Sequence, residues 1–212
     1  MVRYKTLGNI EDQYEPGSSV LKNKAGICSK KAIDALELEA LRKTQLRFFG
    51  SVTAKTKLTL AMIRSAHKHF LGGLYEWAGQ YRTVNLVKGG FAWPPASLVQ
   101  QNMERFEKEV LWKHTPCRPG RSEKVARSIA IVHAEFLLVH PFRDGNGRIA
   151  RLIADIMSLQ AGYPPLDFDF RTRRSQKRYI EAVKNGYVGR YDELTELIAG
   201  AMRRPKQPNG GS

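Results

Sequence analysis

The stretch His140–Arg151, HPFRDGNGRIAR, decides the fold, because it joins two apolar segments that each read as a buried helix. Upstream, residues 122–139 place Ile129, Val132, Phe136 and Val139 on one face and are apolar nearly all round, which predicts a helix at the centre of a bundle. Downstream, a helix is predicted from about Arg148 to Ala161, capped by Gly162 and stopped by Pro164 and Pro165. Between them, Gly145, Asn146 and Gly147 tolerate backbone conformations that turn successive N–H groups to one side. Placed directly before a helix N-terminus, they make an anion nest strengthened by the helix dipole.

The other residues of the stretch suit polyphosphate chemistry. Arg148 and Arg151 lie three apart on one helical face and can grip two adjacent phosphates through forked hydrogen bonds. Asp144 offers one hard oxygen ligand, and a single carboxylate completed by phosphate oxygens is how proteins commonly hold Mg²⁺. His140, with an ordinary pKa of about 6.5, keeps a neutral fraction able to take a proton from an attacking hydroxyl. Pro141 is expected to hold the His140 backbone extended, and Phe142 to anchor the loop in the core. Taken singly, a His-Pro pair is a helix stop, an Asp-Gly or Asn-Gly pair is a turn, and a helical arginine is solvated. Twelve residues combine a base, a metal ligand, an anion nest and two phosphate clamps.

Working outward, the chain reads as mainly α. Ser29 caps a helix to about Phe48, with Ile33, Leu36 and Leu41 inward and Gly50 as its stop. A second helix runs from about Thr56 to Phe70, with Leu58, Met62, Ile63, His67 and Phe70 inward, and a short helical turn carries Leu74, Tyr75 and Trp77. Residues 81–92 alternate around Gly89 and Gly90 and give the one β-hairpin. Pro94 and Pro95 open a helix to about Lys113, and two more helices are predicted near 175–185 and 192–203. Residues 1–28 read as an arm over the core, 29–203 as one domain and 204–212 as a flexible tail.

Composition narrows the function classes. The 212 residues carry 35 Lys plus Arg against 20 Asp plus Glu, a net charge of +15 that favours polyanionic partners. Two cysteines without metal-type spacing indicate neither a disulfide framework nor a zinc site. No apolar run reads as a signal peptide or membrane span, so a cytoplasmic protein without a membrane partner is expected. His67 and His133 read as core histidines, His69 and His114 as surface ones. Tyr179 suits either an adenine pocket or packing.

With its residues in view, the stretch resembles the signature of the Fic family, HPFx[D/E]GN[G/K]R, with a further arginine three residues on. LGGLYEWAGQYR at 71–82, NLVKGGFAWPP at 85–95 and KRYIEAVKNG at 177–186 resemble other segments of that family, including its flap hairpin. The resemblance covers roughly residues 30–200. It implies a Fic-type helical bundle with a small hairpin flap near the active site, and transfer of AMP from ATP to a Ser, Thr or Tyr hydroxyl of a target protein, with pyrophosphate leaving. His140 would be the general base, Asp144 the Mg²⁺ ligand, Gly145, Asn146 and Gly147 the phosphate nest, and Arg148 and Arg151 the holders of the β and γ phosphates. A hairpin edge leaves N–H and C=O groups unpaired, so a target segment can add to the flap as a strand, with Lys88, Gly89, Gly90 and Phe91 as the docking residues.

The chain departs from the family at one point. Many members carry an inhibitory helix, [S/T]xxxE[G/N], whose Glu pairs with the second motif arginine; here no Ser or Thr is followed four positions later by Glu. A separate small helical antitoxin supplying that Glu to Arg151 is therefore expected, or an unrestrained effector exported from a bacterial cytoplasm. The Doc branch, which transfers the γ-phosphate, has Lys in place of the second glycine, and Gly147 argues against it. From another class, RTRRSQKR at 171–178 suits phosphate-backbone contact by a nucleic-acid-binding protein without catalysis, though such runs are usually solvated faces.

Overall fold

A computed structural model describes residues 5–6, 14–168 and 170–204. The described residues form eight α-helices: α1 Lys30–Ser51, α2 Leu60–Leu71, α3 Val99–Arg105, α4 Trp112–His114, α5 Ser122–Val139, α6 Asn146–Gln160, α7 Arg173–Asn185 and α8 Asp192–Arg203. Between α3 and α4 the helix widens into π geometry over Phe106–Leu111. Helix α5 lies at the centre against α6, α7 and α8, and its Ala126, Ile129, Ala130, Val132, Ala134 and Phe136 are fully enclosed. Among the described residues no helix is long and apolar enough to cross a membrane.

Local chemistry moves several predicted boundaries. Ser29 does cap α1, accepting from the Ala32 N–H at 3.4 Å. The helix runs past Gly50 to Ser51, because buried Phe48 keeps the last turn packed. The second helix begins later than expected: Thr59 is its cap, while Thr56 accepts from the Thr53 N–H in the preceding turn. Residues 74–77 form turns rather than a helical turn. Leu36 is 45% exposed rather than inward; the buried stripe of α1 is Ile33, Glu37, Thr44 and Phe48, so a carboxylate stands where an apolar side chain was expected.

The hairpin pairs β2 (Leu86–Lys88) with β3 (Phe91–Ala92) across Gly89 and Gly90. Both glycines have positive φ, 56° and 77°, as a two-residue turn matched to strand twist requires. A third strand, β1 (Lys5–Thr6), pairs antiparallel with β2, Lys5 opposite Val87 and Thr6 opposite Leu86. The arm thus takes the outer edge of β2 and leaves β3 as the edge of the flap. Further along, Val20 and Leu21 of the arm are buried in the core, and the Asn23 side chain ties Leu21 and Ile27 together. The expected flexible tail lies, except for Arg204, outside the described residues.

Candidate active site

The site is built where α5 ends and α6 begins. The residue that ends α5 is His140, in the left-handed region at φ 53°, ψ 60°, not the extended backbone expected before proline. Its N–H bonds the Phe136 carbonyl at 3.0 Å and so finishes the helix in the manner glycine usually does. The side chain is 4% exposed. Nδ1 lies 3.0 Å from the Leu137 carbonyl, which can only accept, so Nδ1 carries the proton and Nε2 the lone pair. Burial, more than the nearby Arg82 and Lys88 charges, pushes the imidazole pKa down to about 3. The ring is neutral at cellular pH with its basic nitrogen set by the helix end.

The loop after His140 is held from three sides. Phe142 is fully buried and stacks on His67, centroids 3.8 Å apart and planes 6° from parallel. His67 Nδ1 accepts from the Gly79 N–H at 2.8 Å, so its Nε2–H donates to the Asp144 carbonyl at 3.0 Å. Asn146, wholly buried, braces the loop against itself: its Oδ1 accepts from the Phe142 N–H at 2.9 Å and its amide donates to the Phe142 carbonyl at 2.7 Å. His67 is the core histidine expected, and it also orients the loop.

Helix α6 starts at Asn146, two residues before the expected start, so Asn146 and Gly147 form its first turn, where N–H groups have no intrahelical acceptor. Gly145 precedes it at φ 81°, with its own N–H 2.5 Å from Asp144 Oδ1. A Cβ there would stand 3.1 Å from Leu71, 3.2 Å from His67 Nε2 and 3.3 Å from Phe70. Gly145→Ala is therefore expected to lose about 2 kcal/mol of stability from left-handed strain and crowding together, read from urea unfolding midpoints. An unchanged midpoint would show that the loop can relax.

Both arginines are anchored. Arg148 pairs with Glu37 of α1, approaches Asp144 Oδ1 at 3.5 Å and lies 4.7 Å over the Phe70 ring. Glu37 also accepts from the Tyr75 hydroxyl at 2.6 Å. Arg151 lies 5.5 Å over Phe170, and its Nη1 would be 3.6 Å from a Cβ on Gly147, which places the guanidinium beside the start of α6. Behind it, the Tyr179 phenol, close enough for the Arg151 charge to act on it, donates to His133 Nε2 at 2.7 Å, and His133 Nδ1–H donates to the Ala150 carbonyl at 3.2 Å. Tyr179 thus packs behind the second arginine. Among the described residues no carboxylate pairs with Arg151.

The flap reaches over His140. Trp93, just past β3, donates from Nε1 to the Leu137 carbonyl at 2.9 Å, and its ring centroid is 4.1 Å from that of His140. Phe91 meets Trp93 and Tyr187 at 5.1 and 5.2 Å, with Lys184 over its face. Gly89 and Gly90 form the exposed tip, while the Lys88 charge is close enough to act on His140. Asp144 is the carboxylate beside the nest, and the described residues hold no cluster of three metal-ligating side chains. A single hard oxygen beside a helix N-terminus and an arginine fits Mg²⁺ that arrives with most of its ligands from phosphate oxygens.

Three buried histidines set the acid limit. Burial holds His67 to about 4 and both His133 and His140 to about 3, below the value of about 6.5 they take in an unfolded chain. Above pH 6.5 both states are neutral and no stability is lost; below it the unfolded chain gains protons that the folded one refuses. Each histidine is expected to cost about 2 kcal/mol at pH 5. Thermal midpoints should fall steeply between pH 6.5 and 5, and a flat profile would contradict the burial of these rings. His69 is exposed as expected, whereas His114 is half-buried and its pKa lowered, chiefly by burial.

Arg82, Trp93, Glu37 and Tyr75 were not singled out in the sequence as site residues. Arg82 and Tyr75 lie in LGGLYEWAGQYR and Trp93 in NLVKGGFAWPP. Glu37 could have been found from its spacing, four after Ile33 and eleven before Phe48, on the buried stripe of α1.

Comparison with known proteins identifies the family and the fold. The Fic/DOC family profile matches residues 57–158, which span α2, the flap, the His140 loop and most of α6. A Sinorhizobium fredii protein, y4lH, described as a probable protein adenylyltransferase, is 30% identical over 209 residues, covering 96% of this chain and 99% of its own length. The protein adenylyltransferase VbhT of Bartonella schoenbuchensis is 25% identical over 90% of this chain, which spans 39% of that relative. The crystal structure of BepC, a VirB-translocated effector of Bartonella tribocorum, shares the fold at a TM-score of 0.74 and 21% identity, covering 93% of this chain and 98% of its own. With a relative matched end to end and the family profile laid over the loop that starts at His140, the chain belongs to the Fic/DOC family.

Proposed function

We propose that the chain is a protein adenylyltransferase that moves AMP from ATP to a hydroxyl side chain of a target protein and releases pyrophosphate. The observation that carries this is the His140 imidazole: neutral, with Nδ1 pinned to Leu137 and Nε2 left basic, at the mouth of a loop that runs straight into a helix N-terminus carrying Arg148 and Arg151. The homologues y4lH and VbhT carry the same activity in their names, and BepC was crystallised with AMPPNP.

In this assignment the first turn of α6 receives the polyphosphate, with Asn146 and Gly147 supplying N–H groups and Gly145 the bend that exposes them. Arg148 and Arg151 hold the β and γ phosphates. A target strand docks on the flap about Lys88, Gly89, Gly90 and Phe91, with β3 as the open edge. Its hydroxyl oxygen attacks the α-phosphorus as Nε2 of His140 takes the proton, and the bond to the bridging oxygen of pyrophosphate breaks. Mg²⁺, held by Asp144 and phosphate oxygens, would neutralise charge on the departing pyrophosphate. Since Arg151 meets an aromatic face and a phenol, we assign its restraint to a Glu from a separate antitoxin chain, with the enzyme working in a bacterial cytoplasm or exported from it.

The test is incubation of purified protein with cell lysate and Mg²⁺, in parallel with ATP labelled at the α or the γ phosphate, beside His140→Ala. Protein-bound α-label that disappears in the variant supports the assignment. Bound γ-label would replace it with phosphotransfer, and absence of both labels would sink it for the isolated chain.

A further inference from the structure

Arg82 sits at the join between the flap and the end of α5, and nothing in the proposed transfer uses it. The residue is 4% exposed, and burial lowers its pKa only to about 10, so it is charged at neutral pH. Its hydrogen bonds go to main-chain carbonyls. Nε donates to His140 at 2.8 Å, Nη1 to Val84 at 2.9 Å, and Nη2 to Pro94 at 2.6 Å and Val139 at 3.5 Å. The Arg82 N–H itself bonds the Pro141 carbonyl at 2.8 Å.

These acceptors fall into two groups. Val139, His140 and Pro141 form the end of α5 and the start of the loop, where a helix leaves its last carbonyls exposed and partially negative. Val84 and Pro94 are the two feet of the flap, one before β2 and one after β3. One planar cation therefore spans the base-bearing helix end and both legs of the hairpin, which the single nitrogen of a lysine cannot do. Trp93 adds a second tie from the flap to Leu137.

We infer that Arg82 is a positioning residue for the transfer step: it fixes the flap relative to His140, so that a hydroxyl presented by a strand docked on the flap meets Nε2. The inference rests on the adenylyltransferase assignment and adds how the flap is held. An arginine that only completes the end of α5 would leave the flap and the transfer rate indifferent to its shape.

Arg82→Lys and Trp93→Phe separate the two. Three quantities are measured with the full chain: affinity for Mg²⁺-ATP by calorimetry, rate of α-label transfer to the lysate protein that the wild type labels most, and amide hydrogen exchange of residues 84–94. For Arg82→Lys, transfer is expected to fall about 10- to 100-fold, as displacement of a reacting group by about an ångström predicts. ATP affinity should stay within about twofold, and exchange should quicken in the flap while α5 and α6 stay protected. Trp93→Phe should show the same split with a smaller loss. ATP affinity falling in step with transfer, or flap exchange unchanged, would overturn the inference. If Arg82→Lys does not fold, Trp93→Phe decides alone, and unaltered transfer in it is the overturning result. If the wild type transfers no label, the adenylyltransferase assignment fails, while flap exchange in Arg82→Lys still decides whether the tether exists.

Discussion

Alanine at position 140 is expected to lower AMP transfer by about 10²–10⁴-fold, the span of a positioned general base, with ATP affinity changed by no more than about twofold. The imidazole points its Nδ1–H into the end of α5, so the lone pair is on Nε2, and in the proposed assignment the phosphates are held by Arg148, Arg151 and the start of α6 instead. The same burial predicts the pH behaviour. A histidine of ordinary pKa, about 6.5, loses about three quarters of its neutral form by pH 6. With the free-enzyme value pushed down to about 3, kcat/KM should be level between pH 8 and 6 instead of falling about fourfold. A bound polyphosphate places negative charge beside the ring and raises its pKa, which brings Nε2 nearer the basicity proton transfer needs. A kcat/KM profile that halves near pH 6.5 would mean that His140 is solvated in the working enzyme; an active alanine variant would mean that the base lies elsewhere.

The parts of this site that a sequence displays are those whose chemistry is contained in consecutive residues. His140 to Arg151 lie on one loop and one helical turn, so base, nest and clamps can be read together, and the glycine pair of the hairpin announces its own turn. The contacts that aim these groups run between distant segments. Glu37 reaches Arg148 from 111 residues away, and Arg82 reaches the His140 carbonyl from 58. A glutamate in a helix with leucines on both faces reads as solvated, because periodicity ranks residues by polarity and here polarity and burial disagree. The backbone at His140 escaped for a similar reason: Pro141 disfavours the α region for its predecessor, but the need to terminate α5 selects the left-handed one. The starts of α2 at Leu60 and of α6 at Asn146 were displaced because several Ser, Thr, Asn and Gly residues compete to cap, and only tertiary packing chooses among them.

The pair formed by Arg148 and Glu37 gives the second large effect. Glu37 is 2% exposed, and besides Arg148 its carboxylate accepts from the Tyr75 phenol. Removing the arginine leaves a buried negative charge without its cation, so Arg148→Ala should cost about 3–5 kcal/mol of folding stability in addition to weakening the hold on ATP. Loss of activity in that variant alone would then be ambiguous, since an arginine proposed to grip phosphate also neutralises the core. Adding Glu37→Gln removes the stranded charge. The double variant should regain at least about half of the lost stability in urea unfolding, while its ATP affinity stays as weak as that of Arg148→Ala. Recovery of both would show that Arg148 acts on nucleotide only through the fold, and recovery of neither would show that the ion pair carries little of the stability. The reverse single variant, Glu37→Gln, leaves a guanidinium that is 24% exposed, can still hydrate and keeps Asp144 3.5 Å away, so its cost should be the smaller of the two. That asymmetry follows from burial: the carboxylate depends on the arginine more than the arginine depends on it, so a phosphate held by Arg148 has to share the guanidinium with Glu37 rather than take it away.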